Sequence, residues 1–473
     1  MRKKGFTLIE LLAVILILGI IALIAIPTVN KIITEAREGA FKTGVDNIVN
    51  SLKTKCQTSL IKGESPDLTY SFIDGKSNIP IDIKGDLPNK GYIILDNECE
   101  LSVLNVSNEK FDYNTGDFEI EDQMLLSYLD VGTGTQTSIF NTLYSSYFSN
   151  IKSVKFIDNL NIPADAIEIK DVSLSGNGKV KSWLVNDNSK YILYVGSKRP
   201  IYANYDSSFL FNSIPSSTMD LNNLFTNFTT KMDSMFRSTT SLNNINLEHF
   251  YTANVTSMSY MFSNATSIES IYISSWDTRN VKSFDSMFNN CKLLKTLDLS
   301  KWNTQSLVTT TNMFYFCNKI QLLDLSNWNT NNLTNLTGMF DCCYNLITLK
   351  LKNWNVSKVS SFKNLFKDCS WLNVLELPKN MNVSNSNSFL KMFWNVPSLR
   401  TIDFSNWEIK ETADFTNFFY EARNLTEIKF INSSDETIIK IGSILPSVSN
   451  GVIYVNEIKD TYPTPSGWVY QEV

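Results

Sequence analysis

MFNNCKLLKTLDLSKWNT (Met287–Thr304) is followed, 26 residues on, by MFYFCNKIQLLDLSNWNT (Met313–Thr330). Working outward from this pair, Met235-Phe236, Met261-Phe262 and Met339-Phe340 keep the same step. Leu365-Phe366 follows, Met392-Phe393 slips by one residue, and Phe418-Phe419 resumes the rhythm. Each pair leads to an apolar–polar–apolar triplet: Ile245-Asn246-Leu247, Ile271-Tyr272-Ile273, Leu297-Asp298-Leu299, Leu323-Asp324-Leu325, Leu349-Lys350-Leu351, Leu375-Glu376-Leu377, Ile402-Asp403-Phe404 and Ile428-Lys429-Phe430. Trp276, Trp302, Trp328, Trp354 and Trp407 form a further column. A fixed period of this length means coils of chain that bury their apolar residues on their neighbours. Each coil contributes one short strand to a parallel sheet, and eight coils at ~4.8 Å spacing make a rod about 40 Å long.

The middle residue of each triplet is expected to face solvent, because side chains alternate along a strand. Asp324, Lys350 and Glu376 then alternate in sign down one column, and Asp403 meets Lys429. Opposite charges on adjacent strands stabilise by a few tenths of a kcal/mol to ~1. Asp298 above Asp324 breaks the alternation. Tyr272, Asp298, Asp324, Lys350, Glu376 and Asp403 make the expected binding face, since exposed sheets and edge loops of such arrays commonly meet partners. Cys291, Cys317, Cys343 and Cys369 also lie 26 apart, with Thr239, Ala265, Val396 and Ala422 at the equivalent places. Small, mostly apolar substitutes point to a buried ladder of thiols. A linear ladder cannot converge on one ion, so no metal site is expected. Cys342 is left over and is a candidate for the surface.

The unit MFxxCxxLxxLDLSxWNT resembles the BspA-like surface leucine-rich repeats of bacteria. The resemblance extends to Ile162–Leu184 and Tyr191–Phe211, similar to that family's N-terminal cap, and to Pro463–Tyr470, similar to its tail. It weakens at Leu365 and Met381, where the Met-Phe and Trp columns break. It implies extracellular display and adhesion to host proteins or other cells, without fixing a ligand.

At the other end the chain opens MRKKGFTLIELLAVILILGIIALIAIPTVNK. Arg2, Lys3 and Lys4 precede an apolar run from Phe6 to Ile26 broken only by Thr7, Glu10 and Gly19. At ~1.5 Å per residue the run spans about 30 Å, enough to cross a bilayer. The basic flank should stay cytoplasmic and send the C-terminus outside. A secretory signal fits poorly, since no small-x-small site follows the run. A plain anchor leaves Glu10 unexplained, because a carboxylate within a membrane helix costs roughly 2.5–3.5 kcal/mol or more without a partner.

KGFTLIELL, the long apolar run and Pro27 together resemble the class III signal of type IV prepilins. The resemblance implies that a prepilin peptidase cuts between Gly5 and Phe6 and that Phe6 becomes N-methylated. It implies that Glu10, then fifth in the mature chain, pairs with the terminal amine of a neighbouring subunit. Pro27 falls where such helices kink or melt on assembly. A new terminal ammonium is a physically apt partner for a buried carboxylate.

Beyond the membrane, Ile33, Ala36, Ala40, Val45, Ile48 and Leu52 recur at helical spacing, and Glu38 and Lys42 form an i,i+4 pair. Gly63 to Pro66 reads as the stop. Strand patterns follow at Gly91–Asp96, Glu100–Val106 and Phe118–Asp122, suited to a small antiparallel sheet. Cys56 and Cys99 are the two cysteines here; a disulfide would tie helix to sheet, and two unrelated buried thiols are the other reading. Gly- and Thr-rich residues 130–138 have linker chemistry.

The expected architecture is an α+β pilin module, a long N-terminal transmembrane helix with a small antiparallel sheet, followed by a β-rich or α/β leucine-rich-repeat solenoid of 26-residue coils. Its parts are a leader (1–5), the helix (6–62), a headgroup (63–129), a linker (130–150), a repeat cap (151–234), the repeats (235–430) and a C-terminal cap (431–473). The 473 residues carry a net charge of −5, and 42 basic against 47 acidic residues disfavour a nucleic-acid surface. A single histidine, His249, leaves little room for a His-rich metal site or a Ser-His-Asp triad. No nucleophile elbow, zinc motif or phosphate loop is present, so no enzyme and no cofactor are expected.

The expected function is a minor pilin-like subunit at the cell surface that carries an adhesive repeat domain. Its partners would be other pilin subunits, prepilin peptidase, the cytoplasmic membrane before assembly, and an unknown extracellular protein or glycan. The alternatives are a pseudopilin of a secretion or DNA-uptake machine and a statically anchored surface receptor.

Overall fold

The computed structural model describes residues 8–62, 69–73, 76–77, 87–88, 90–95, 99, 101–107, 112–114, 124–125, 128–130 and 136–473, except 380 and 411. The described chain is mostly β, in small sheets, with few helices. It divides into two compact units, Met1–Glu119 and Ile120–Val473.

In the first unit α1 (Leu8–Ile61) runs unbroken through Pro27. Its lower half has one apolar stripe, and Val45, Ile48, Val49, Leu52 and Cys56 are buried along it, while Ile33 is exposed. Glu38 and Lys42 pair at 2.9 Å. The stripe belongs to one core with residues of a five-stranded antiparallel sheet. Its strands are β1 (Thr69–Ile73), β2 (Lys76–Ser77), β3 (Lys90–Leu95), β4 (Leu101–Ser107) and β5 (Asp112–Asn114), in the order β2-β1-β3-β4-β5. Tyr70, Ile93, Leu95 and Val106 supply the sheet's share of that core. Cys56 and Cys99 are joined by a disulfide across 43 residues of chain, which ties α1 to the sheet. The expected strand at 118–122 and the helix stop at 63–66 lie outside the described residues. Among the residues described with their side chains, no helix is long and apolar enough to cross a membrane. The apolar run 6–26, on which the expected membrane span falls, lies outside that set.

The second unit begins with β6 (Tyr128–Asp130) and β7 (Gln136–Ser138), an antiparallel pair, and α2 (Ile139–Leu143). Ser138 caps α2, accepting from the N–H of Phe140 at 3.2 Å and donating to the carbonyl of Leu210 at 2.6 Å. This corrects the expected linker at 130–150. Ile139, Phe140, Tyr144 and Phe148 are buried in the core of the second unit, so most of the segment is packed structure rather than a tether. The polar, Gly-rich composition of 130–138 hid the apolar residues that follow it.

A mixed five-stranded sheet comes next: β8 (Ile151–Ile157), β9 (Ile167–Asp171), β10 (Lys181–Asp187) and β11 (Lys190–Gly196), then β12 (Ile201–Tyr202), which pairs outside it, and β13 (Thr218–Asp220). The order is β13-β8-β11-β10-β9. The β10–β11 hairpin turns on Asn188 and Ser189, both at positive φ, as a two-residue turn between right-twisted strands requires.

From there the chain repeats. Parallel bridges run Lys231 to Ser257, Ser283, Thr309, Asn335, Ser361, Ser388 and Asp414, each residue paired with the equivalent residue of the next coil. The phenylalanines of the Met-Phe pairs form a column of rings, with centroids 5.3 Å apart at Phe236–Phe262 and 6.0 Å at Phe340–Phe366. Trp276, Trp302, Trp328 and Trp354 form another, with rings 6.1 to 6.4 Å apart. The threonine two residues after the tryptophan donates to a carbonyl in the next coil, as Thr278 to Asn303 at 2.9 Å and Thr304 to Asn329 at 3.1 Å. Cys291, Cys317, Cys343 and Cys369 are free and buried, and each thiol donates to the carbonyl of a phenylalanine in the preceding coil at 3.1 to 3.2 Å. Cys342 is buried as well rather than at the surface.

The strand triplets pair in three separate groups rather than one sheet. After β14 (Leu224–Phe225), which pairs with β12, β15 (Asn244–Asn246) pairs with β16 (Ser270–Tyr272). β17 (Leu322–Asp324), β18 (Thr348–Lys350) and β19 (Val374–Glu376) form the next group. β20 (Thr401–Asp403) and β21 (Glu427–Lys429) continue through α3 (Asp435–Gly442) into β22 (Gly451–Val455) and β23 (Trp468–Glu472). The expected strand Leu297-Asp298-Leu299 is reduced to a single bridge, Ser270 to Thr296. Its place is where Asp298 would sit directly opposite Asp324, and like charges facing across strands are unfavourable. The second interruption, between β19 and β20, coincides with the slip in the repeat. LPKNM (Leu377–Met381) replaces the LKNW of Leu351–Trp354, one residue longer and with a proline that has no N–H to give a ladder.

Candidate binding face

The outer residues of β16 to β20 form two columns. One holds Tyr272, Asp324 and Asp403, exposed, with Lys350 and Glu376, half-buried; the other holds Leu322, Val374 and Thr401, exposed, with Ser270 and Thr348, half-buried. Asp298 is exposed on the segment between β16 and β17. The residues between the two columns, Ile271, Leu323, Leu349 and Ile402, are buried. The residues of the expected face therefore fall in three strand groups, with Asp298 on the segment between the first two.

Its electrostatics differ in part from the expected ladder. Lys350 Nζ lies 3.4 Å from Asp324. Burial works against the charge on Asp324, but the hydroxyl and N–H of Ser326 and the Lys350 ammonium outweigh it and hold the carboxyl below its ordinary value. Asp298 is held low chiefly by the N–H and hydroxyl of Ser300. Lys429 does not pair with Asp403. It binds Glu427 on its own strand at 3.3 Å and lies 5.7 Å from the ring centre of Tyr454, while Asp403 accepts from the N–H of Ser405 at 2.9 Å. A local partner is available to each without bridging strands.

A groove of about 310 Å³ opens at the leading edge of β18, β19 and β20, lined by Ile347, Trp371, Asn373, Pro397, Ser398, Arg400 and Asn424. Trp371 is 61% exposed. The repeated tryptophans are buried, Trp276 at 2%. Two groove residues are locked in place, Asn424 donating to the carbonyl of Pro397 at 2.8 Å and Ser398 to that of Ser370 at 2.7 Å. Sequence reasoning passed over this site. The available signal was a tryptophan off the buried column, where other coils carry Ser267, Leu293, Lys319 and Asn345.

One other cluster gathers ligand-type atoms. Asp341, Cys342 and Asp368 bring theirs within 4.8 Å of one another. Lys367 Nζ sits 3.2 Å from Asp341 and 2.5 Å from Asp368, in the place a cation would take. Burial raises the Asp341 carboxyl and pushes the Cys342 thiol up to about 12. The group is a polar knot between coils, its two carboxyls sharing one ammonium.

Of the assembly residues, Gly5 and Phe6 lie outside the described residues. Glu10 and Pro27 lie within α1, their side chains outside what is described.

Residues 1–26 match a prokaryotic N-terminal methylation motif. Over 120 residues the chain is 32% identical to the type IV major fimbrial protein FimA of Dichelobacter nodosus, covering 24% of this chain and 72% of that protein. The chain belongs to the type IV pilin family. This pilin is also 38% identical over 77 residues to the type IV major alpha-pilin of Moraxella bovis, covering 16% of its own length and 46% of the relative's. Residues 205–322 and 308–430 of the pilin match a family described as a Mycoplasma protein of unknown function, DUF285. That match falls on the repeats, so the methylation motif and the repeat likeness occupy different parts of one chain.

Proposed function

We propose that this pilin is a minor subunit of a type IV pilus-like surface filament, and that its 26-residue coils form a BspA-like leucine-rich-repeat solenoid serving as an adhesive module. The observation that carries the reading is the fusion itself. A methylation motif and pilin-like segment are joined to a repeat array whose sheet face and edge groove are exposed. In this reading prepilin peptidase cleaves after Gly5, Phe6 is methylated, and Glu10 pairs with the amine of a neighbouring subunit inside the fibre. A unit this bulky would crowd every position of a helical filament, which favours a low-copy subunit. The work is attachment to a host or neighbouring cell, not catalysis.

The deciding experiment is mass spectrometry of sheared surface filaments. A mature chain beginning with N-methylated Phe6, scarce beside a major pilin, is the expected result. A chain still beginning at Met1 and confined to the membrane would overturn the assembly reading and leave a static surface receptor. Reversing Asp324 and Lys350 together then tests the sheet face: the pair is retained, and altered cell attachment places the contact there.

A further inference from the structure

The edge groove holds chemistry that the sheet face does not. Trp371 presents an indole at 61% exposure in a chain that buries its repeated tryptophans almost completely. A large apolar surface left in water is unfavourable by about 25 cal/mol per Å². Ile347, 38% exposed, and Pro397 extend the apolar wall. Around it stand two polar side chains with no hydrogen-bond or ion-pair partner among the described residues: the amide of Asn373 and the guanidinium of Arg400. The acid on the strand beyond Arg400, Glu427, is already paired with Lys429 at 3.3 Å, so the Arg400 charge is uncommitted. The backbone beneath is fixed, since the carbonyl of Arg400 accepts from the N–H groups of Thr426 at 2.8 Å and Glu427 at 3.0 Å, and the N–H of Asn373 donates to Ile347 at 3.0 Å.

A flat apolar platform, one amide and one free guanidinium in about 310 Å³ define a ligand by elimination. The volume is at the low end of the roughly 300–1,000 Å³ that small-molecule sites occupy, which suits one ring rather than a peptide helix or strand. A wholly apolar ligand would strip water from Arg400 and Asn373 and return no hydrogen bonds. A nucleic acid calls for several clustered cations, and one is present. A pyranose has a face of C–H groups for an indole and a rim of hydroxyls for an amide, and a carboxylate on that ring meets guanidinium in a two-point, charge-assisted contact.

We infer that the Trp371 groove binds a carboxylate-bearing pyranose, a hexuronate or sialate residue of a surface glycan, stacked on Trp371, hydrogen-bonded by Asn373 and held by Arg400. The inference rests on the adhesive reading above and names its ligand class.

The test uses the full chain in a zwitterionic detergent without a sugar headgroup, with sodium glucuronate as probe and glucose as its uncharged counterpart, followed by saturation-transfer NMR. Saturable glucuronate binding is expected, weaker by roughly tenfold in Trp371→Ala and partly restored in Trp371→Phe. Arg400→Gln should lower glucuronate affinity roughly tenfold and leave glucose unchanged. All three side chains are at the surface, and a far-UV spectrum matching the parent confirms that each variant is folded. Absence of saturable binding, unchanged binding in Trp371→Ala, or equal affinity for glucose and glucuronate each overturns the assignment. Attachment of cells expressing the parent chain, compared with a deletion strain, is scored separately. Attachment without glucuronate binding sinks the groove and spares the adhesive role; glucuronate binding without attachment does the reverse.

Discussion

The indole N–H groups of the tryptophan column record where the repeat is regular. Trp276, Trp302 and Trp354 each donate to a carbonyl 29 residues earlier, Leu247, Ile273 and Leu325, at 2.9, 3.2 and 2.8 Å. Trp328 and Trp407 are buried with no acceptor among the described residues. Their corresponding acceptors would be Leu299, after the missing strand, and Leu377–Pro378, where the extra residue enters. A buried donor without a partner costs about 1–3 kcal/mol. Trp354→Phe removes a made bond, whereas Trp328→Phe removes an unmade one. Chemical denaturation should therefore find Trp354→Phe more destabilising by about 1 kcal/mol. The thiols make a second residue-scale case. Burial raises the pKa values of the Cys317, Cys343 and Cys369 thiols well above the ordinary thiol value, and that of Cys342 to about 12. The thiolate is the reactive form, so a disulfide-exchange reagent at pH 8 should titrate none of the five free cysteines in the folded chain and all five in denaturant.

At the scale of the element, the coil is a unit of length as much as of shape. Removing residues 313–338 deletes one whole coil and joins Asn312 to Met339, keeping every column in register. Such arrays have roughly additive stability, so a single cooperative transition should remain, with a melting temperature within about 10 °C of the parent. Removing one residue more, 313–339, brings Phe340 to the methionine place and Asp341 into the ring column, and a carboxylate buried there has no partner. Circular dichroism on heating should show that variant without a cooperative transition. The chain itself carries a one-residue excess at Leu377–Met381, after β19, and the buried columns resume beyond it with Met392 and Phe393. The interruption of the sheet between β19 and β20 accompanies it.

Over the whole molecule, two cores are built from different residues: one around Leu52 and Cys56 of α1, the other along the repeats. The disulfide closes 43 residues of the first, and such a bridge stabilises typically by about 2–4 kcal/mol. Dithiothreitol should lower the melting of the first unit, followed through the tyrosines of its sheet, and leave the second, which holds the tryptophans, unmoved. A shift of both transitions would mean that the units unfold as one.

The sequence by itself determined whatever repeats or is locally periodic. The 26-residue columns of Phe, Trp and Cys, the exposed middle residues of the triplets and the stripe from Val45 to Leu52 are all legible, because each depends on spacing along one chain. The methylation motif is legible for the same reason, as a short contiguous string. Only the tertiary structure decided that the strand at Leu297–Leu299 fails, that Lys429 takes Glu427 rather than Asp403, that 139–148 is core, and that Trp371, Asn373 and Arg400 share a groove. These depend on which groups compete for one partner, and on contacts between coils whose residues are 26 or 27 apart. A period announces that coils meet; it does not say which side chain, off the period, is left facing water.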